Sequence, residues 1–109
     1  MDIKNIPFEI FDLEQVIPEE HKGETGTAHW KTIQRGNVRM RIVEYGSGYL
    51  ADHWCEKGHA VFVLEGAFVS ELKDGRKDTL TKGMAYLVAD HADAHRSYSE
   101  NGVKLLIVD

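Results

Sequence analysis

A chain of 109 residues is long enough for one domain with a single core, and too short to make two independent domains a reasonable expectation. Its 42% hydrophobic and 28% charged residues are ordinary for a folded globular protein and argue against disorder. The net charge of -5, with basic residues spread singly, offers no basic stripe for a phosphate backbone, so no nucleic-acid partner is expected.

Membrane and export signals are also missing from the sequence pattern. No apolar run approaches the roughly 20 residues that cross a bilayer, and the acidic N-terminal stretch does not resemble a secretory signal. We therefore expect no membrane association and a cytoplasmic location. Cys55 is the single cysteine, which excludes a disulfide within the chain and leaves packing, reactivity or metal binding as its roles.

Residues 1–24 are interpreted as an N-terminal arm or edge strand. They contain both prolines, Pro7 and Pro18, and scattered apolar residues without a sustained period. A short strand is predicted around residues 8–11. Residues 19–23 have the composition of a loop, so His21 is expected to be exposed to solvent.

Residues 25–109 are predicted to form a single all-β domain, because turn residues recur roughly every 8–12 positions. Asp74-Gly75 is the strongest hairpin signal. About nine strands with tight turns favour an antiparallel barrel or double-sheet jelly roll, which buries the apolar faces and protects most edges. The predicted strands lie at residues 27–34, 38–45, 49–55, 60–64, 67–72, 77–81, 84–89, 94–99 and 103–108.

The segment at residues 38–45 has the alternation of a half-buried strand. Val38, Met40 and Ile42 alternate with Arg39 and Arg41, a pattern that predicts one buried face.

Metal-binding side chains cluster from the third predicted strand to the start of the fourth. His53 and Cys55 stand two apart in a segment predicted to be extended, so both side chains leave the same face. His59 follows at the start of the apolar run at residues 60–64. His95, on a later predicted strand, can face the first three across the interior of a barrel. We therefore predict a metal site formed by His53, Cys55, His59 and His95.

Imidazole and thiolate ligands indicate a divalent transition metal, zinc first, with iron or nickel as alternatives. Four protein ligands would mark a structural zinc, whereas three with an open position would mark a catalytic site. Taken singly, a buried histidine or free cysteine is more often a packed core residue, and it is the clustering that favours metal. His91 is kept as an alternative to His95, and His29 is interpreted as a rim residue.

The spacing of these residues resembles the two sequence motifs of the cupin superfamily. Counted back from Gly66, His53 and Cys55 fall on the two histidines of the first motif and His59 on its glutamate. His95, downstream of Gly83, is similar to the histidine of the second motif. The run Asp52-His53-Trp54-Cys55 is similar, more narrowly, to small single-domain cupins that carry a DHCW motif.

This resemblance implies an antiparallel double-stranded β-helix, the cupin jelly-roll barrel, for residues 25–109. It also implies a small-molecule ligand inside the barrel and a homodimer formed through sheet edges and the N-terminal arm. Two positions depart from the family pattern, because Cys55 replaces a histidine and His59 replaces a glutamate. The usual ligand set for iron or manganese is therefore not reproduced.

The function expected from these observations is metal binding by a cupin barrel that acts as a metal-dependent, oxidoreductase-like enzyme on a small molecule. The alternative is a non-catalytic cupin, in which a structural zinc supports a module for binding or sensing a small ligand.

Overall fold

The computed structural model describes residues 2–109 and contains, over that range, nine β-strands and one turn of 3₁₀ helix, Leu13–Gln15. The sequence predicted nine strands within residues 25–109, where the structure has eight of its nine. Their bounds are β1 Glu19–Lys22, β2 Thr27–Arg35, β3 Val38–Tyr45, β4 Tyr49–Leu50, β5 His59–Leu72, β6 Lys77–Thr81, β7 Ala85–Val88, β8 His95–Ser99 and β9 Val103–Val108.

Two antiparallel sheets share the long strand β5 and close into a jelly-roll barrel. The first sheet has the order β1-β2-β3-β9-β5-β7, and the second has the order β6-β5-β8-β4. The register of β5 shifts between Val63 and Glu65, after which the strand changes from β7 and β9 to β6 and β8 as neighbours. The bend lets one strand serve both sheets, as barrel closure requires. The predicted all-β jelly-roll barrel is therefore confirmed.

The prediction of two strands at residues 60–64 and 67–72 was wrong, because Glu65-Gly66 bends β5 without ending it. Gly66 has a φ of 79°, and a Cβ built on it would lie 2.5 Å from the carbonyl oxygen of Gly102. Only glycine accommodates both the positive φ and this close approach of β9. The turn signal at Gly66 was real, but it marks a corner inside a strand.

The hydrophobic core lies between the two sheets. Each buried side chain of this core stabilises the fold by about 1.5–3 kcal/mol, because it is removed from water. Several of them also form one wall of a cavity inside the barrel. The core residues are Val43, Val61, Val63, Phe68, Leu80, Val103, Leu105 and Ile107.

Both faces of β3 are buried, whereas its alternation predicted only one buried face. Ile42 is 8% exposed on the outer face of the barrel, where the 3₁₀ helix packs against β2 and β3. Arg41 is 5% exposed on the opposite face and lines the barrel cavity together with Arg39. The alternation of charged and apolar residues therefore separates two buried environments, and the arginines face the interior.

The N-terminal region differs from the sequence prediction in two places. Residues 8–11 form no strand, and the side chains of Phe8 and Ile10 are 93% and 83% exposed. The edge position beside β2 is taken instead by β1, in the stretch that was expected to be a loop. Its charged residues suit an edge strand, which is exposed and must not recruit other chains. His21 is half-buried on this strand, since its ring stacks on Trp30 at 3.8 Å.

Over residues 2–109 the three-residue 3₁₀ turn is the single helical element, and no helix has the length and apolar character needed to cross a membrane.

Candidate metal centre

The sequence predicted an extended backbone through residues 49–55, but the chain bends between β4 and β5. Strand β4 ends at Leu50, the chain bends at residues 52–53, and Cys55 then rejoins β8 through an isolated bridge to His95. The Cys55 amide donates to the His95 carbonyl oxygen at 2.7 Å, and the His95 amide donates to the Cys55 carbonyl oxygen at 3.0 Å. Residues that exchange both hydrogen bonds lie directly opposite each other in an antiparallel pair. The bridge therefore places the thiol beside the His95 ring.

His59 completes a group of three possible metal ligands. It is the first residue of β5, and its Nε2 lies 2.9 Å from Nε2 of His95. One ligand atom each from Cys55, His59 and His95 lies within 4.8 Å of the other two. Ligand atoms around a tetrahedral zinc are about 3.3–3.8 Å apart, given bonds of about 2.0–2.3 Å. The three side chains thus need only small rotations to share one ion.

A backbone carbonyl orients the His95 ring. Its Nδ1 lies 2.8 Å from the carbonyl oxygen of Asp93, which can only accept a hydrogen bond. The proton is therefore on Nδ1, and in the neutral ring Nε2 presents its lone pair to Cys55 and His59. A histidine that ligates a metal commonly has its second nitrogen fixed in this way. The side chain of Asp93, in contrast, is paired with Arg76 at 3.2 Å.

His59 lies beside a buried carboxylate at the end of β9, which makes no hydrogen bond to its ring. Its Nδ1 lies 3.5 Å from Oδ2 of Asp109, and the two side chains are 7% and 1% exposed. Arg39 donates to both carboxylate oxygens of Asp109 at 2.9 Å, and Arg41 donates to Oδ2 at 3.1 Å. The carboxylate therefore anchors two guanidinium groups while it faces the back of the imidazole.

The pKa shifts of His59 and Cys55 favour metal binding at neutral pH, whereas that of His95 opposes it. Burial, with the nearby His95, lowers the pKa of His59 to about 4, so its ring is neutral and able to bind a cation. A hydrogen bond with His95 lowers the pKa of the Cys55 thiol, against the opposing effect of burial. The same bond raises the pKa of His95. The pair thus favours the thiolate, which is the form that ligates metals.

Tyr86 brings a hydroxyl group to the same place. Its oxygen lies 3.3 Å from Nε2 of His59, and burial raises its pKa well above the usual range, so the phenol keeps its proton at neutral pH. In the structure it lines the cavity above the three ligands.

The structure brings together three of the four predicted ligands and places His53 elsewhere. The His53 side chain is 75% exposed, and its Nδ1 lies 2.6 Å from the Asp52 carboxylate. It still lines the rim of the cavity that contains Cys55, His59 and His95. Two bends, at Asp52 and His53, remove the shared strand face on which its inclusion depended.

The other histidines lie outside the group. His91 has a φ of 59° and an 80% exposed side chain, at 4.0 Å from Glu56. His29 is exposed on β2. Reasoning from sequence missed Asp109, Arg39 and Arg41 as the support of His59. The available signal was the pair of arginines on a strand that also carries apolar residues on both faces.

A cavity of about 350 Å³ opens in front of the three ligands. This volume falls within the range of about 300–1,000 Å³ that is usual for small-molecule sites. The arrangement can thus hold an ion at one end of a pocket large enough for a small ligand.

Comparisons with known proteins agree on the architecture. Neither a protein-family model nor a curated protein matches this sequence. An RmlC-like cupin from Shewanella frigidimarina is 19% identical over 94% of this chain and 90% of that chain, with a TM-score of 0.71. A protein described as a "predicted oxalate decarboxylase" from Thermotoga maritima is 12% identical over 92% and 96% of the two chains, with a TM-score of 0.77. Ectoine synthase from P. lautus is 18% identical over 93% and 76%, with a TM-score of 0.72.

These similarities show that the chain has the fold of a small cupin, as its motif spacing predicted. Because the sequence identities are only 12–19%, these similarities show the fold and nothing about the activity.

Proposed function

We propose that this protein binds one divalent transition metal through Cys55, His59 and His95, and acts as an enzyme on a small molecule held in the barrel cavity. The observation that carries the proposal is the convergence of one thiol and two imidazoles at the inner end of that cavity. Zinc is the first expectation from this donor set, with iron or nickel as alternatives. Iron or nickel could itself change oxidation state in an oxidoreductase reaction, whereas zinc is redox-inactive.

A metal bound by these residues would supply Lewis acidity to an oxygen of the ligand. The protein's own groups contribute the rest. The carbonyl oxygen of Asp93 orients the His95 ring, and the Asp109 carboxylate lies beside His59. The protonated Tyr86 hydroxyl can donate a hydrogen bond to a ligand in the cavity. The apolar wall formed by Val61 and Ile107 restricts water on one side of the group.

A second candidate function is a non-catalytic module in which a closed zinc site stabilises a barrel that binds or senses a small ligand. The position of His53 favours it, since this side chain lies on the rim of the same cavity, two residues before Cys55. With His53 as a fourth ligand the coordination would be complete, which is the mark of a structural zinc. The two functions therefore differ in the coordination number.

The variant His53→Ala separates these two functions. If the protein is an enzyme with three metal ligands, we expect about one equivalent of metal in both the purified wild type and the variant. Their affinities for metal should then differ less than about threefold. Metal analysis and the visible spectrum of the cobalt-substituted protein provide the measurement. A loss of affinity greater than about tenfold, with a change in coordination number, would favour the closed zinc site. Absence of metal after growth with added zinc, iron and nickel would contradict both functions.

We also propose a homodimer, in which the N-terminal arm (residues 2–18) of each chain contacts the other. Phe8, Ile10 and Ile17 are 83–93% exposed on this arm. Leu87 and Phe62, 84% and 41% exposed, lie on the outer face of the first sheet, where their strands β7 and β5 pair. Apolar groups on both the arm and the sheet can bury each other in a pair of chains.

The variant Leu87→Asp is expected to convert a dimer into a monomer, because a charge would be buried in the contact. Sedimentation or light scattering at about 100 μM measures the mass, a concentration well above typical dimer dissociation constants. The matched control is Tyr98→Asp, since Tyr98 is 39% exposed on a strand of the second sheet. A monomeric wild type, or a dimer that survives Leu87→Asp, would contradict the proposal.

A further inference from the structure

The wall of the barrel cavity is positively charged in a protein that is acidic as a whole. The chain has 18 acidic and 13 basic residues and a net charge of -5. Among residues 2–109, however, four basic side chains and no aspartate or glutamate line this cavity: Arg39, Arg41, Lys57 and Arg96. A pocket lined by one sign of charge concentrates ligands of the opposite sign.

Arg41 is buried and Arg39 is 32% exposed, and both share the carboxylate of Asp109, so two positive charges meet one negative charge. The Cys55 thiolate would supply a second negative charge, and a bound divalent ion would add two positive charges. In the metal-loaded protein the group therefore keeps an excess of positive charge, which water screens only weakly beside the buried Arg41.

Arg41 has an unused donor. Its side chain is 6% exposed, and its buried Nε has no hydrogen-bond partner among the residues that the structure describes. Its guanidinium plane is held over the Trp30 ring at 4.5 Å, which fixes its direction. A buried N–H without a partner is costly, and a bound acceptor would relieve that cost.

The remaining cavity wall is aromatic or aliphatic. It presents flat and apolar surface beside the charged end, as a ligand with an apolar body and a charged end requires. The residues that provide this surface are Trp30, Val43, Tyr45, Tyr49, Leu105 and Ile107.

We propose that the ligand of this cavity is a small organic monocarboxylate, whose carboxylate accepts a hydrogen bond from Arg41 and whose apolar body lies against the aromatic wall. The excess of positive charge favours an anion, and a planar carboxylate suits the fork of a guanidinium group. This inference names the substrate class of the proposed function and rests on it, because the same cavity contains the metal centre.

Benzoate and its neutral analogue benzamide test the proposal by calorimetry on the metal-loaded protein. We expect benzoate to bind at least about tenfold more tightly than benzamide, since it adds a charge-assisted hydrogen bond. Arg41→Gln is expected to lower benzoate affinity by about tenfold or more and to lower benzamide affinity by a smaller factor, because benzamide loses a hydrogen bond without a charge on the acceptor. Arg76→Gln is the matched control, because Arg76 is 61% exposed and lies outside this cavity.

Equal binding of benzoate and benzamide by the wild type, no binding of benzoate at millimolar concentration, or tighter binding of inorganic phosphate would each overturn the inference. The comparison in the wild type does not depend on the folding of any variant. Repeating it after removal of metal separates the two proposals. Selective benzoate binding in a protein that never contains metal would retain the monocarboxylate and refute the metal centre. A metal-loaded protein that does not select benzoate would retain the metal centre and refute the monocarboxylate.

Discussion

The variant His95→Ala is expected to lose its bound metal, with an affinity for zinc lowered by more than about 100-fold. Loss of a group that merely orients a ligand costs about 10–100-fold, and His95 is proposed as a ligand itself. Its Nε2 is 2.9 Å from His59, and its backbone is paired with Cys55, so no other side chain can take its place. Competition titration with a zinc chelator measures the affinity.

Thermal stability provides a second measurement of the same change. An ion that binds only the native state raises stability by about 2.7 kcal/mol at 100 times its dissociation constant. We therefore expect added zinc to raise the Tm of the wild type and to leave that of His95→Ala unchanged. The matched control is His91→Ala, because His91 lies four residues away, is 80% exposed and lies outside the group. Equal zinc affinity in His95→Ala and wild type would contradict the proposed centre.

Donor chemistry and spacing allowed the sequence to identify three side chains that lie together in the structure. Cys55, His59 and His95 were selected because imidazoles and a thiol near an apolar run are unusual in combination. The inclusion of His53 depended on an extended backbone through residues 52–55. Bends at two of these residues, with the His53 ring on Asp52, could not be derived from composition. The metal site itself stays a prediction until an ion is measured.

The support of the site could not be predicted, because it depends on long-range strand register. Asp109 approaches Arg39 only because β3 and β9 pair, with backbone hydrogen bonds in both directions between these two residues. A single sequence shows alternation along one strand, but not which neighbour lies beside it. For the same reason the hairpin at Asp74-Gly75 was predictable, whereas the edge strand β1 was not.

Acid is expected to destabilise the metal-free protein in two steps. The His59 pKa of about 4 is below the ordinary value of about 6.5, so its contribution is present above pH 6.5 and lost between 6.5 and 4. For Asp109, burial raises the pKa, but Arg39 and Arg41 outweigh that effect and the net pKa is lowered. Its contribution is therefore present above about pH 4 and lost as the pH falls further.

The carboxylate of Asp109 is the group whose removal should cost the most stability. Its side chain is 1% exposed and pairs with two guanidinium groups, one of which, on Arg41, is 6% exposed. Asp109→Asn keeps the shape but leaves Arg39 and Arg41 without their counter-charge. Removing one partner of a buried ion pair costs about 3–5 kcal/mol, because the remaining charge stays buried.

We expect the Tm of Asp109→Asn to fall by more than about 12 °C, since 1 kcal/mol corresponds to about 4–8 °C in a domain of this size. Urea unfolding at pH 7 and pH 3.5 gives the free energies directly. The difference between variant and wild type should shrink at the lower pH, because the Asp109 carboxylate takes up a proton in the unfolded wild type before it does so in the native state. Asp74→Asn is the matched control, because its pair with Arg76 is 52% and 61% exposed and is expected to contribute little to stability. If both variants lost the same small free energy of unfolding, the buried Asp109 carboxylate could not be the group that holds β3, β9 and His59 together.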